Sequence, residues 1–208
     1  MNTAQEKFND MEKKVLKRLK RIWNDIDESV NILRKNNKTL VKSELCLTFI
    51  GADTFSRFYE IMCGEEENNN KKRFKLWLDA FVFTDRNKEY SKYKNLIKCD
   101  SAIAWKLRNS LLHFYGLPKS GEIGFGYWPE NEQKKFKKYI KINNLRQSFR
   151  IINPYYLIKA ILNGFLLQLL FFAEIIKNDP KKYIDGISKC YKITQRECSE
   201  FIDLNKSK

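Results

Sequence analysis

The chain of 208 residues is 43% hydrophobic and 14% aromatic, which suffices for one ordinary domain with a packed core and excludes a chain disordered throughout. Its 8 Gly and 4 Pro are too few for collagen or a turn-rich sandwich. The 40 Lys and Arg residues against 25 Asp and Glu residues give a net charge of +15, so the surface should attract polyanions, although a lysine surplus beside so many Asn and Ile residues also fits genome base composition.

The first predicted helix carries one apolar stripe. Its apolar residues recur at alternating spacings of three and four, as on one face of an amphipathic helix: Phe8, Met11, Val15, Leu19, Ile22, Ile26, Val30 and Leu33. The other faces carry an N-terminal basic cluster, which consists of Lys13, Lys14, Lys17, Arg18, Lys20 and Arg21. We interpret this cluster as a solvated face, with polyanion binding as the alternative. The polar run at 34–38 should end the helix.

Four further helices are predicted before residue 116. They span about 41–62, 71–83, 87–97 and 100–115. Gly64 and the polar run after it should end the second helix of the chain. In the helix at 100–115, Asp100 or Ser101 can cap the first turn, whereas Gly116 and Pro118 should stop the last.

The hydrophobic period changes between residues 119 and 153. Short runs of β-type residues at 122–128, 138–143 and 148–153 predict a small β-containing insertion, antiparallel or hairpin-like. Helix should return at 154–177, and a C-terminal tail of two short helical pieces, about 181–189 and 194–204, should end the chain. The predicted fold class is therefore mainly all-α, a single domain over 1–208 with about five main helices.

The most apolar stretch of the chain lies in the predicted helix at 154–177. It covers the 14 residues 160–173, lies between Lys159 and Glu174, and is interrupted by Asn163 and Gln168. Because a membrane span requires roughly 20 apolar residues, we expect a buried core helix and no membrane association. The polar N-terminal segment of mixed charge predicts no signal peptide.

The cysteines argue against a metal site. The five cysteines are widely spaced without a CxxC pair, and the chain has one histidine. This pattern predicts no zinc site and no cofactor, and it is typical of a protein from a reducing, cytoplasmic compartment.

The polar end of the helix at 100–115 is the candidate chemical site. The run RNSLLH contains Arg108, Asn109 and His113, and His113 is the only histidine of the chain. Asn109 and His113 are four residues apart and share a helix face, which Arg108 flanks. A guanidinium suits a phosphate, an imidazole suits proton transfer near neutral pH, and an amide can orient either. The alternative is structural: a histidine at a helix C-terminus, where the helix dipole favours a cation, and a solvated or salt-bridged arginine.

These residues resemble the signature of the HEPN superfamily, an Arg and a His separated by four to six residues, commonly with Asn after the Arg. RNSLLH fits the form with four intervening residues. The segments LCLTFIGADTFSRFYEIMCG, KKRFKLWLDAFVF and WKLRNSLLHFYG also look like the helix order of bacterial HEPN proteins, in which a DxxxRF-type helix precedes the motif helix. The resemblance covers about 40–117, with 154–177 as a closing helix, and leaves out the insertion at 119–153 and the tail at 181–204.

The resemblance implies metal-independent RNA cleavage. A 2′-hydroxyl attacks the adjacent phosphate and leaves a 2′,3′-cyclic phosphate, while Arg108 stabilises charge and His113 transfers protons. One histidine per chain cannot easily act as acid and base in a single step. HEPN proteins are typically dimers whose motifs face each other across a two-fold axis, so the resemblance also implies a homodimer with a composite site.

Other residues are weaker candidates for the site. Asp53 and Arg57 lie four apart on the second helix, and we interpret them as a structural pair, with Asp53 orienting a motif residue as the alternative. Glu44 on the same helix can also face the site. Tyr115 and Trp128 can stack on bases, although aromatic residues at this density are typical of a core.

A dense cationic run lies near the insertion and consists of Lys134, Lys135, Lys137 and Lys138. We interpret it as a solvated face, with an RNA-binding face as the alternative.

Two functional classes stay open. As an enzyme, the chain would be an endoribonuclease, a toxin or phage-defence effector with an antitoxin or regulatory protein as a further partner. As a binding module, it would hold RNA, a nucleotide or another protein without turnover. The presence of both Arg108 and His113 favours the enzyme. A DNA-binding protein has only the net charge in its favour, because no helix-turn-helix signature is visible.

Overall fold

The computed structural model of the chain describes residues 4–36, 40–64, 69–114, 123–125 and 150–206. Helices dominate these residues, which confirms the prediction of a mainly helical fold. The helices are α1 (Ala4–Asn36), α2 (Val41–Cys63), α3 (Asn70–Trp77), α4 (Lys88–Ile97), α5 (Ser101–Phe114), α6 (Pro154–Asn178) and α7 (Pro180–Lys206). Two short strands, β1 (Ile123–Phe125) and β2 (Arg150–Ile152), lie between α5 and α6.

The core forms around α2 and α6. α2 packs against α1, α3, α5, α6 and α7, and α6 packs against α1, α4 and α7 as well. Where the two central helices meet, Phe55 and Phe165 are fully buried, and their ring centroids lie 4.3 Å apart. Gly51 permits this approach, because a Cβ there would lie 2.9 Å from the Phe165 ring and 2.4 Å from Ile26 Cδ1.

The apolar stripe of α1 faces the core as predicted. Phe8, Val15, Leu19 and Val30 are buried, and the other members of the stripe are half-buried. The N-terminal basic cluster lies on the opposite side of α1, where all its members except the half-buried Arg18 are exposed. The long first helix is therefore part of the packed bundle and presents its lysines to solvent.

α6 combines an apolar composition with a buried polar contact. It is the one helix of the described ranges that is long and apolar enough to cross a membrane, and half of its most apolar window is buried inside the bundle. Gln168, within that window, accepts a hydrogen bond from Trp77 Nε1 and donates one to the Phe55 carbonyl at 3.0 Å. α6 therefore packs as a core helix of the bundle, and the cytoplasmic location stays a prediction.

The predicted third helix divides into α3 and a π-helical turn at Leu78–Val82. Asn87 follows the turn, is fully buried, and donates from Nδ2 to the carbonyls of Phe81 at 2.9 Å and of Ala160 at 2.8 Å. Asn163 of α6 donates in return to Asn87 Oδ1 at 2.9 Å. One amide therefore joins the end of the π turn to α6.

The C-terminal tail is a single helix, so the prediction of two short pieces at 181–189 and 194–204 is wrong. α7 runs without a break from Pro180 to Lys206 and packs against α1 and α2. Gly186, which weakens the helical pattern, lies at a close approach of α7 to α2: a Cβ there would lie 2.7 Å from the Met62 carbonyl oxygen. The glycine therefore serves close packing and does not end the helix.

The two strands pair in parallel, with Ile123 opposite Arg150 and Phe125 opposite Ile152. The expected antiparallel or hairpin-like arrangement is therefore wrong for these two strands. Adjacent parallel strands cannot be joined by a tight turn and need a long connection, and residues 126–149 separate β1 from β2. Those residues lie outside the described part of the chain. The β-containing insertion over 119–153 as a whole stays a prediction.

Candidate functional site

α5 carries the predicted motif on a firmly packed helix. Asp100 caps it as predicted, because its Oδ1 accepts a hydrogen bond from the Ile103 amide at 2.8 Å. Ser101 Oγ adds a contact to Asp79 Oδ2 of the π turn at 3.1 Å. Leu107 and Leu111 are buried in the core. The apolar face therefore anchors α5 while the polar residues of its last turns remain partly accessible.

Arg108 is held by a carboxylate from α2. Arg108 Nε donates to Asp53 Oδ2 at 2.9 Å, and Nη2 donates to the same oxygen. The two side chains are 19% and 25% exposed, so solvent screens this pair less than a fully exposed pair. Arg57 instead pairs with the buried Glu60. The expected Asp53–Arg57 pair is therefore wrong, because the Asp53 carboxylate turns toward α5 and meets a motif residue there.

The guanidinium of Arg108 keeps hydrogen-bonding capacity for a ligand. Arg108 Nη1 donates to Asn109 Oδ1 at 2.9 Å, in addition to the two bonds that Asp53 accepts. A guanidinium has five N–H donors, so two of them have no acceptor among the described residues. Asn109 Nδ2 is likewise available. Arg108 also packs over the Trp105 ring, with Cζ 5.2 Å from the ring centroid.

The three residues of the motif line one cavity, which is open to solvent and has a volume of about 620 Å³. We call it the site cavity. It is bounded by α5 and by the start of α3, and its lining residues are Asn69, Asn70, Lys71, Trp105, Arg108, Asn109 and His113. Its size is within the range of small-ligand sites. The structure therefore brings together Arg108, Asn109 and His113, with Asp53 behind the arginine.

The residues at the start of α3 that line the site cavity were not predicted from the sequence. Asn69 caps α3 by accepting hydrogen bonds from the amides of Lys71 at 3.0 Å and Lys72 at 3.2 Å. The Asn-rich run before α3 signals a helix start, but nothing in the sequence relates it to a motif almost 40 residues later. Trp105, in contrast, lies three residues before Arg108 on α5, and that helical spacing was a usable signal.

Among the other candidates, the structure describes only Glu44, which does not line the site cavity. Glu44 is buried and forms an ion pair with Arg34 of α1 at 2.9 Å. Tyr115 and Trp128 lie outside the described residues, as does the cationic run Lys134, Lys135, Lys137 and Lys138. Their predicted roles stay predictions.

Cys46 on α2 contacts the motif helix from its buried side. Its Sγ lies 3.8 Å from the Leu111 carbonyl oxygen. Burial raises the pKa of the Cys46 thiol, so the thiolate is disfavoured. Because the thiolate is the nucleophilic form of cysteine, this contact indicates a packing role and not a catalytic one.

The donor set around the site cavity consists of a guanidinium, an imidazole, amides and a lysine. Within the described ranges, no group of three or more His, Cys, Asp or Glu side chains is arranged to hold a metal ion. Comparison of the chain with family models, with curated proteins and with solved structures finds no match.

Proposed function

We propose that this chain is a metal-independent endoribonuclease that cleaves RNA by attack of a 2′-hydroxyl on the adjacent phosphate. The observation that carries the proposal is the shared cavity, in which the anchored guanidinium of Arg108 retains two unused N–H donors and which His113 also lines. The resemblance of RNSLLH to the HEPN signature supports the same chemistry. A phosphate diester is a ligand that this donor set fits, because a guanidinium and an amide both donate to its oxygens.

Arg108 would bind the non-bridging oxygens of the scissile phosphate. Negative charge accumulates on these oxygens as the new P–O bond forms, so donors already aimed at them lower the barrier. Asp53 fixes the guanidinium from the side of α2 and leaves the remaining donors for the substrate. Asp53 is therefore a positioning residue in this proposal.

His113 would carry the protons of the reaction. The 2′-oxygen forms a bond to phosphorus and loses its proton to a base, while the bond from phosphorus to the 5′-oxygen breaks and that oxygen gains a proton from an acid. His113 is exposed at the last turn of α5, where a second copy of the chain can approach it. A homodimer in which two copies of His113 share the acid and base roles would complete the site.

The biological setting belongs to the proposal as well. A ribonuclease of this type would act as a toxin or a phage-defence effector and would be restrained by an antitoxin or a regulatory protein. This part is supported by the resemblance to HEPN proteins alone.

The test is incubation of the purified chain with a labelled single-stranded RNA in EDTA, beside the same strand as DNA. We expect RNA fragments that end in a 2′,3′-cyclic phosphate and intact DNA, because DNA lacks the attacking hydroxyl. Lys106→Ala is a matched control on α5, since Lys106 is exposed and does not line the site cavity. It should cleave like the parent, whereas Arg108→Ala should not.

Two results would contradict the proposal. Cleavage of DNA as fast as RNA would exclude attack by a 2′-hydroxyl. Intact RNA at every protein concentration would exclude the enzyme, and retained RNA binding under those conditions would establish the binding module instead, with Arg108 as a phosphate contact.

A further inference from the structure

The site cavity continues along α3. A second cavity, of about 330 Å³, is lined by Asn69, Lys71, Lys72, Lys75, Leu76 and Asp79. It shares Asn69 and Lys71 with the site cavity. The two cavities therefore adjoin at these two residues, and together they make up a depression whose lining extends from the motif along α3 to Asp79 of the π turn. We call the part lined by these six residues the α3 groove.

The positive charge of this depression comes from α3 and not from the motif. Asp53 balances the charge of Arg108 through a direct ion pair. Lys71, Lys72 and Lys75 line the α3 groove, and Lys71 and Lys75 form no ion pair with any residue that the structure describes. Asp79 is the one acidic residue of the groove lining. Within the described part of the chain, Lys71 and Lys75 are thus cations of this depression whose charge no carboxylate balances.

The spacing of these lysines suits a chain of phosphates. Lys71 and Lys75 are one helical turn apart, so their Cα atoms are separated by about 6 Å along the helix axis. Neighbouring phosphates of an extended nucleic acid strand are separated by a similar distance. The 2′-hydroxyl attack also requires a strand flexible enough to align its nucleophile with the leaving oxygen, which favours single-stranded RNA over a duplex.

We propose that the α3 groove binds the phosphates of a single RNA strand on one side of the scissile bond, with Lys71, Lys72 and Lys75 as the contacts. This inference rests on the proposed function, because it takes the site cavity as the place of cleavage. The enzyme should therefore favour RNA strands that extend past the scissile phosphate along the α3 groove.

The test removes the three charges together, as Lys71→Ala, Lys72→Ala and Lys75→Ala in one protein. Alanine preserves the helix, since it has the highest helix propensity. Binding is measured on a 2′-O-methyl RNA strand, which cannot be cleaved by this route, at several salt concentrations. We expect a loss of affinity of about ten-fold and a decrease of about 2 in the magnitude of the negative slope of log K against log salt, because each phosphate contact on a single strand contributes about 0.7.

Two matched variants distinguish RNA binding at the α3 groove from a general effect of positive charge on RNA affinity. Lys13→Ala, Lys17→Ala and Lys20→Ala remove the same charge from the exposed side of α1 and should change the salt slope much less. Replacement of all three groove lysines by Arg should preserve the parental binding, which would show that binding requires the positive charge at these positions and not lysine itself. In cleavage assays, the effect of the groove variant should fall on KM more than on kcat.

The outcomes distinguish this inference from the proposed function. If only the α3 variant binds RNA more weakly, the result supports RNA binding by the α3 groove even if no RNA is cleaved. In that case the proposed function alone fails. If the α3 and α1 variants lose RNA affinity equally, the proposal that the α3 groove binds RNA is wrong, even if the parent cleaves RNA. Absence of any RNA binding by the parent protein overturns both.

Discussion

At Arg108, the Asp53 carboxylate determines which N–H groups remain for a substrate. It accepts the Nε and Nη2 hydrogen bonds, and Asn109 accepts one from Nη1. The residues 53 and 108 thereby form a unit that connects α2 to the last turns of α5. Energetic coupling between them is expected because they are in direct contact.

Arg108→Ala should lower the single-turnover rate of RNA cleavage by about 10² to 10³, the usual cost of removing a transition-state donor. Asp53→Asn should cost less, since the amide oxygen can still accept one bond from the guanidinium. The double variant should be no slower than Arg108→Ala, because Asp53 acts through the arginine. Independent, multiplicative losses would contradict this positioning role.

His113→Ala should lower the cleavage rate by about 10² to 10⁴, which is the range for a lost general acid or base. Asn109→Ala should cost less, because an amide orients groups but transfers no proton. The comparison requires rates at saturating RNA and a thermal unfolding curve for each variant. A His113→Ala protein that is folded and cleaves as fast as the parent would refute the catalytic role.

Cys190 connects stability to alkaline pH. Its side chain is fully buried between α7 and α2, and burial raises the pKa of its thiol to about 12 from 9.0. Above pH 9 the unfolded chain loses this proton while the folded chain retains it, so the contribution to stability is complete below that pH and is lost as the pH rises toward 12. The unfolding free energy of the parent should therefore fall more steeply over this window than that of Cys190→Ala.

Denaturant titrations at several pH values would measure the difference in slope. Lysines and tyrosines titrate in the same window, so only the difference between the two proteins is informative. Identical slopes would show that the Cys190 thiol does not remain protonated in the folded state.

Among the elements, the π turn depends on a single buried amide. Asn87 satisfies the carbonyls of Phe81 and Ala160, accepts from Asn163, and caps α4 through the Tyr90 amide at 3.1 Å. The turn also places Asp79 against Ser101 at the start of α5. A change at Asn87 should therefore affect the π turn, α4 and α6 together.

Asn87→Ala should lower the unfolding free energy by at least about 2 kcal/mol, because it leaves buried carbonyl oxygens without donors. Asn95→Ala is the matched control, since Asn95 is exposed on α4 and its loss should be nearly neutral. Urea unfolding of the two variants gives the comparison. Equal stability of both proteins would mean that water replaces the amide at no cost.

The helices with a sustained apolar period were predictable from sequence. The predicted bounds of α2, α4, α5 and α6 agree with the structure to within about one residue. The π turn was not predictable, because one extra residue in a single turn hardly disturbs the apolar spacing at 71–83. The predicted break at 190–193 was wrong for another reason: Thr194 is a residue type that can start a helix, but in the structure its Oγ1 donates to the Tyr191 carbonyl within the continuous α7.

The candidate site was predictable only where it is local in sequence. Arg108, Asn109 and His113 share one helix end, so their spacing predicts that they lie together. Helical spacing on α2 predicted Arg57 as the partner of Asp53. In the structure Asp53 instead pairs with Arg108, because α2 packs against α5. The lysines of α3 carry no sequence signal of their own, since their relation to the motif depends on how α3 packs against α5.

For the whole molecule, the proposed composite site makes activity depend on association. Cleavage per chain should fall on dilution below the dissociation constant of the homodimer, because a single chain holds one imidazole. Light scattering at the assay concentrations, combined with rates over a dilution series, measures this dependence. A strict monomer that cleaves at a constant rate per chain would exclude the composite mechanism.

The ion pair between Asp53 of α2 and Arg108 of α5 also predicts how these two positions change during evolution. A lineage that loses Arg108 retains a partly buried carboxylate without its counterion, and selection for stability would then replace Asp53 too. Positions 53 and 108 should accordingly be inherited as a pair, kept together or lost together. Positions 71, 72 and 75 are under a looser constraint, because lysine and arginine can exchange there as long as the positive charge persists. Divergent descendants of this chain would therefore show coupled substitution at the first two positions and independent drift at the other three.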